Sequence, residues 1–305
     1  MGLVLAIACG SCAQSSPNAS NQSSNPNVVA TSTIIADWVV KIGGQEIDHT
    51  GILQPGADPH VYEPTPQDTR AFEQADLILY NGFNLEPGLI RLMESSGQKA
   101  KKVAVGETVQ PLKMQKEGAS VPDPHVWGDV KNAIAIVNRV RDELIQISPD
   151  DKATFTQNAA QLTRELQQLD QWIQQQIATI PANQRQLITT HDAFQYYARA
   201  YGLTVPGTLI GISTEEQPSA QTVKRLVESI KSTGTPAIFA ETTINPTLIE
   251  TVAKSAGVKL ASQKLYSDSI GAPGSDGDSY SKMMVANTTA IAQNLGGQAT
   301  PFQPK

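Results

Sequence analysis

Residues 148–181, SPDDKATFTQNAAQLTRELQQLDQWIQQQIATIP, decide how the rest of the chain is read. Serine, then proline, then two acids is the composition of a helix start: a capping hydroxyl, a residue whose missing N–H costs nothing in the first turn, and negative charge at the positive end of the dipole. Phe155, Ala159, Leu162, Leu166, Leu169, Ile173 and Ile177 follow at spacings of three and four, and the run stops before Pro181. This predicts one amphipathic helix of roughly 30 residues, about 45 Å long at 1.5 Å per residue. Its leucines and aromatics are read as core.

On either side the elements are short and alternate. Before it, strands are expected at 28–33, 49–54, 75–82 and 102–106. A helix through Ile35, Trp38, Val39 and Ile42 is stopped by Gly43-Gly44, and a second helical face runs through Ala133, Ile136, Val137, Val140, Leu144 and Ile147. After it, strands are expected at 186–190 and 236–240, extended chain at 258–265, and helices at 194–201, 221–232, through Leu248 to Ala253, and at 280–295. Alternation of this kind argues for mostly parallel sheets flanked by helices. The expected fold is α/β: an N-terminal lobe at 28–147 and a C-terminal lobe at 182–305, joined by one long rigid helix at 148–181.

Of the 305 residues, 40% are hydrophobic and 17% charged, with a net charge of -6, which is a globular composition without the basic face that nucleic acid requires. Both cysteines, Cys9 and Cys12, sit near the start, so the folded body holds no thiolate for catalysis, disulfide formation or sulfur ligation. Gly2 to Ala8 is apolar but far below the roughly 20 residues a span needs. It ends at Cys9 like the tail of a lipoprotein signal, without the basic front of an export signal. Residues 13–27 (AQSSPNASNQSSNPN) have the composition of a flexible tether. The expected order is a signal segment at 1–12, a lipid anchor on Cys9 (or Cys12), a tether and then the globular body.

Only four histidines occur: His49, His60, His125 and His191. Two lie in the same string, Asp58-Pro59-His60-Val61-Tyr62 and Asp123-Pro124-His125-Val126-Trp127. A repeated D-P-H-V-aromatic is improbable by chance when histidine is so rare. Proline stiffens the backbone ahead of each ring, and Asp58 or Asp123 could orient a ring as a hydrogen-bond acceptor. His191 follows the strand ending Thr189-Thr190, and Asp268 follows the extended run 258–265; carboxyl ends of parallel strands are where ligands are met. Three imidazoles and a carboxylate suit one first-row divalent ion in the crevice between the lobes. A lone loop histidine is ordinarily solvated, and His49, which has no motif around it, keeps that reading. Asp276 and Asp278 compete with Asp268 for the acidic role.

Taken together, Gln54 to Pro64, Asp76 to Gly82, Asp123 to Trp127, Thr190 to Phe194, Gly211 to Glu215, Ile238 to Thr242 and Tyr266 to Ser269 resemble the zinc- and manganese-binding solute-binding lipoproteins of bacterial ABC transporters. The resemblance covers nearly the whole globular chain. It implies two α/β lobes tied by one helix, metal ligands at His60, His125, His191 and Asp268 rather than Asp276, no catalytic activity, and a membrane permease as partner. It also implies an extracytoplasmic, lipid-anchored monomer. Some manganese-selective members carry glutamate at the position of His191, and strongly zinc-selective ones carry a His-rich loop before the second histidine. Residues 113–122 (KMQKEGASVP) contain no histidine, so the sequence lies between those patterns, with Zn²⁺ or Mn²⁺ as the expected cargo. The alternatives are a secreted zinc-dependent hydrolase and a surface adhesin with a structural metal. Against the hydrolase, four protein ligands leave no open position for water and no His-Glu-x-x-His string occurs. Unperturbed imidazoles would make affinity fall as pH drops through about 6.5.

Overall fold

The computed structural model describes residue 2, residues 25–116 and residues 118–304. The expected lipid anchor at Cys9 or Cys12, and most of the tether, lie outside the described residues. The first lobe contains β1 (Asn27–Ala30), α1 (Thr33–Gly43), β2 (Asp48–Gly51), α2 (Pro66–Gln74), β3 (Leu77–Tyr80), α3 (Pro87–Ser96) and β4 (Lys101–Ala104). A hairpin, β5 (Lys113–Lys116) and β6 (Ala119–Pro122), and helix α4 (Val130–Ile147) complete it. Strands β2, β1, β3 and β4 form one all-parallel sheet in that order. The hairpin is antiparallel and occupies the segment that the sequence left without structure.

The strands are shorter than their apolar runs because caps intervene. In the run Val28 to Thr33, strand β1 ends at Ala30 and Thr31 makes the last backbone bonds to its neighbours, since the Ser32 hydroxyl accepts the Ile35 N–H at 3.3 Å and opens α1. Thr65 and Asp68 form a reciprocal capping box on α2, with Pro66 in the first turn.

Helix α5 (Lys152–Ala178) runs for 27 residues. Its start differs from expectation. A 3-10 turn, Pro149–Asp151, precedes it, and the Ser148 hydroxyl donates to Asp151 Oδ2 at 2.5 Å instead of accepting a backbone N–H. The acid three residues on captures the hydroxyl, so this end has the composition of a cap without its geometry. Helix α5 packs on α1 and α4 of the first lobe and on α6 (Gln195–Tyr201) and α9 (Tyr280–Asn294) of the second.

Between those helices lie α7 (Ala220–Thr233), β7 (Ala237–Ile238), α8 (Thr247–Ala256) and β8 (Lys259–Leu260). The expected strand at 186–190 is extended without a continuous ladder. It makes parallel bridges at Gln186 with Thr204 and at His191 with Ile210, and the Phe239 N–H reaches Ile188 O at 3.0 Å. The ladder breaks where the Thr190 carbonyl accepts two N–H groups, from Leu209 and Ile210, and the Thr189 hydroxyl bonds to His191 O. Segments 186–191, 237–241 and 259–265 thus run side by side and parallel, and their carboxyl ends share one edge.

One apolar cluster runs through both lobes along α5. It joins Val28, Trp38 and Val137 to Leu166 and Ile173, and these to Tyr197, Met284 and Ile291. Alternate strand residues face opposite ways: Val28 and Ala30 enter this shared core, while Val29 turns to a second cluster with Phe72, Leu89 and Met93. A third, built on Ile188, Leu226, Ile238 and Val252, lies on the far side of the second lobe.

Candidate metal centre

Two loops of the first lobe and two strand ends of the second converge on one point. His60 lies in the loop after β2, and His125 between the hairpin and α4. His191 ends segment 186–191, and Asp268 follows segment 259–265. One side-chain ligand atom from each of the four lies within 4.8 Å of every other. His60 is 4% exposed, His125 and His191 0%, and Asp268 1%. His60 Nε2 is 3.2 Å from His125 Nε2, His125 Nε2 is 3.4 Å from Asp268 Oδ1, and His191 Nε2 is 3.2 Å from Asp268 Oδ2. A tetrahedral zinc site with bonds of about 2.1 Å has ligand atoms about 3.4 Å apart, so the cluster has the size of one ion's coordination shell. His191 Nε2 and Asp268 Oδ1 have no well-directed hydrogen bond among the described residues. Buried polar atoms left in this way are costly unless something satisfies them.

The repeated string performs the same backbone task twice. Asp58 Oδ1 accepts the His60 N–H at 2.9 Å, and Asp123 Oδ1 accepts the His125 N–H at 3.0 Å. Each aspartate closes a turn two residues ahead of its ring. The loops then differ. Asp123 also takes His125 Nδ1 at 2.7 Å, whereas the hydrogen bond of Asp58 to its own histidine is to the backbone. Of the two orienting aspartates the sequence suggested, Asp123 therefore holds a ring and Asp58 holds a turn. Glu241, at the end of segment 237–241, binds His191 Nδ1 through Oε2 and the His191 N–H through Oε1, the latter at 2.8 Å. Sequence reasoning gave Glu241 no role. The available signal was its place at a strand's carboxyl end, the same argument that selected His191. With Nδ1 occupied, Nε2 of both rings is the atom presented to the cluster.

Burial is the largest influence on His125 and opposes its charge, but Asp123 and Asp268 outweigh it and push the imidazole up to about 9. His191 is likewise held well above the ordinary histidine value, burial being overcome by Glu241 and Asp268. For Asp268, burial acts to raise the pKa, and the two imidazoles reverse it, holding the carboxyl well below its usual range. The carboxylates of Asp123, Asp268 and Glu241 thus favour the protonated form of the two imidazoles, against their burial.

The remaining candidates lie elsewhere. Asp276 accepts the Tyr266 hydroxyl at 2.6 Å, and Asp278 pairs with Lys282 at 2.8 Å and caps Gly274 N–H. His49 is in β2, and burial lowers its pKa. A cavity of about 400 Å³ adjoins the cluster, lined by Phe83, Asn84, Glu107, Pro124 and Glu215 among others, and of the four converging residues His60 alone forms part of its wall.

Ties between lobes surround Asp268. Trp127 Nε1 donates to Ser267 O at 3.0 Å, the Gly56 N–H donates to Ser269 Oγ at 2.8 Å, and Thr33 Oγ1 lies 3.1 Å from the same hydroxyl.

Residues 28–294 match the family model described as zinc-uptake complex component A, periplasmic. The chain is 35% identical to the metal ABC transporter substrate-binding lipoprotein FimA of Streptococcus parasanguinis, over 97% of each chain. It is 32% identical to the manganese-binding lipoprotein MntA of Halalkalibacterium halodurans, over 96% of each. Among solved structures, the periplasmic zinc-binding protein TroA of Treponema pallidum superposes with a TM-score of 0.84 at 34% identity, covering 89% of this chain and 99% of that one. A buried three-histidine, one-carboxylate cluster between two α/β lobes on a single long helix, and similarity over almost the full length, place this chain in the zinc-uptake component A family of metal substrate-binding proteins.

Proposed function

We propose that this protein captures one Zn²⁺ or Mn²⁺ ion outside the cytoplasmic membrane and delivers it to the permease of an ABC uptake transporter. In this reading His60, His125 and His191 bind through Nε2 and Asp268 through a carboxylate oxygen. The observation that carries it is the convergence of four buried ligand atoms, from four separate segments, within 4.8 Å. Three imidazoles and one carboxylate suit zinc and admit manganese, and the order of divalent affinities makes zinc the tighter ligand in vitro whatever the cell transports. The ion is cargo, so the protein is not an enzyme. Four protein ligands leave no position for an attacking water, which weighs against the zinc-dependent hydrolase. An adhesin with a structural metal would hold its ion as a condition of folding. Removal and return of the ion without unfolding is expected of cargo and would argue against that reading.

The parts are assigned as a signal segment at 1–12, a tether at 13–27, lobes at 28–147 and 182–305, and a linking helix at 148–181. The chain acts as a monomer, anchored through lipid on Cys9 (or Cys12). The common core limits lobe closure, so release needs only a small movement of the second lobe. The test is isothermal titration of chelator-stripped protein with Zn²⁺ and Mn²⁺. One ion per chain is expected, with affinity lost in His60→Ala and in His125→Ala. Unchanged affinity in both variants sinks the assignment.

A further inference from the structure

Asn81 stands at the carboxyl end of β3, 3% exposed, where four segments meet. Its N–H donates to Glu86 Oε1 at 2.7 Å, and its carbonyl accepts the Gly106 N–H at 3.0 Å. Its carboxamide Nδ2 donates to Gly82 O at 3.1 Å and to Pro124 O at 3.0 Å. Pro124 immediately precedes His125. Packing around the asparagine is close: a Cβ on Gly106 would come within 2.5 Å of Asn81 O.

What holds Asn81 is itself unusual. Glu86 is 1% exposed, its Oε1 also accepts the Thr31 hydroxyl at 2.8 Å, and its Oε2 has no hydrogen-bond partner among the described residues. Burial pushes this carboxyl up to about 7. A half-satisfied buried carboxyl is a costly device. It braces a turn in which Phe83 and Asn84 both hold positive φ, 51° and 58°, a conformation such residues keep only when their surroundings impose it.

The His125 loop is gripped through its carbonyls. Asp123 O accepts the Tyr196 hydroxyl at 2.9 Å, Pro124 O accepts Asn81, and Val126 O accepts Asn132 Nδ2 at 3.0 Å. Asp123 fixes the ring of His125, but it belongs to the same loop and cannot fix the loop to the sheet. The Asn81 carboxamide does that within the first lobe.

We infer that Asn81 is a positioning residue for metal capture: braced by Glu86, it holds the Pro124 carbonyl and so sets the place of the His125 imidazole in the cluster. This rests on His125 being a ligand. Outer partners of metal ligands are worth about tenfold to a hundredfold in affinity, and a loop anchor one residue from the ligand belongs at the lower end of that range.

The test compares Asn81→Ala, Tyr201→Phe and His125→Ala with the parent protein. Zn²⁺ affinity and dissociation rate are read by competition with a chromogenic chelator, and the metal-free melting temperature and the His125 ring ¹⁵N resonance are recorded. Tyr201→Phe deletes a buried hydrogen bond to Asp170 on α5, remote from the cluster, and reports plain destabilisation. Asn81→Ala is expected to weaken Zn²⁺ binding about tenfold, speed dissociation, and shift the His125 resonance. Tyr201→Phe is expected to lower the melting temperature alone. If Asn81→Ala fails to fold, Asn81→Ser is read in the same way. Parent-like affinity and an unmoved His125 resonance in the asparagine variant, or equal weakening in Tyr201→Phe, overturns the inference. Parent-like affinity in His125→Ala would instead remove the ligand assignment beneath it.

Discussion

Glu241 grips His191 at two points, taking the ring Nδ1 with one carboxyl oxygen and the backbone N–H of the same residue with the other. Asp123 does the same to His125 through a single oxygen. Side chain and main chain of each histidine are thereby locked to one acid, which fixes both the tautomer and the direction of Nε2. For His60, Asp58 accepts the backbone N–H.

That difference predicts a ranking. Glu241→Ala and Asp123→Ala should each weaken Zn²⁺ binding by about tenfold to a hundredfold, because the freed ring can rotate and change tautomer. Asp58→Ala should cost less, since what it removes is the hydrogen bond that closes the turn carrying His60. Titrations of the three variants on stripped protein check this, and an Asp58 effect equal to the other two would contradict it.

The charge state of the ion-free cluster predicts proton release. His125, with its pKa near 9, and His191, held well above the ordinary value, carry protons at neutral pH. A metal needs neutral imidazole, so binding expels them. Raising the pH removes the competing protons in advance. Apparent affinity should therefore rise with pH through neutrality and level off only beyond about 9. Calorimetry at pH 7 in buffers of different ionisation enthalpy should show one to two protons released per ion. An affinity flat above pH 7 would contradict this.

The cavity beside His60 predicts an effect on rate. Glu107 and Glu215, both exposed, line the cavity that His60 also borders. Negative charge along an approach raises the association rate of a cation and is screened by salt. The double variant Glu107→Gln, Glu215→Gln should bind Zn²⁺ several-fold more slowly at low ionic strength, with its dissociation rate unchanged. Stopped-flow measurement in low and high salt separates this from a loss of affinity.

The residues that converge were readable from sequence because the chemistry is sparse: four histidines, two of them in one repeated string, and a third at a strand end. All three of these, and Asp268, meet in the cluster, while Asp276 and Asp278 are used in local hydrogen bonds. Spacing alone could not choose Asp268; that needed the family resemblance. Glu241 and Asn81 escaped because acids and amides at strand ends are common, and their importance lies in a partner 50 and 43 residues away. The hairpin β5–β6 escaped because its residues, KMQK and ASVP, carry little strand signal. The strand expected at 186–190 is extended chain with isolated bridges, because its ladder is interrupted where the Thr190 carbonyl serves two donors.

The shared core predicts how the molecule unfolds. Two lobes with separate cores would melt independently, each with its own transition. Here Leu166 and Ile173 of α5, both fully buried, belong to one apolar cluster with Trp38 and Val137 on one side and Tyr197 and Ile291 on the other. Removing either should weaken both lobes at once. Leu166→Ala should cost about 2–5 kcal/mol, lower the melting temperature, and leave a single calorimetric transition whose van't Hoff and calorimetric enthalpies agree. Zn²⁺ should raise that same transition as a unit, because its ligands come from both lobes and only the folded state gathers them. Two separable transitions, only one of them shifted by zinc, would show that the lobes are energetically independent and that α5 is a tether between them instead of their common core.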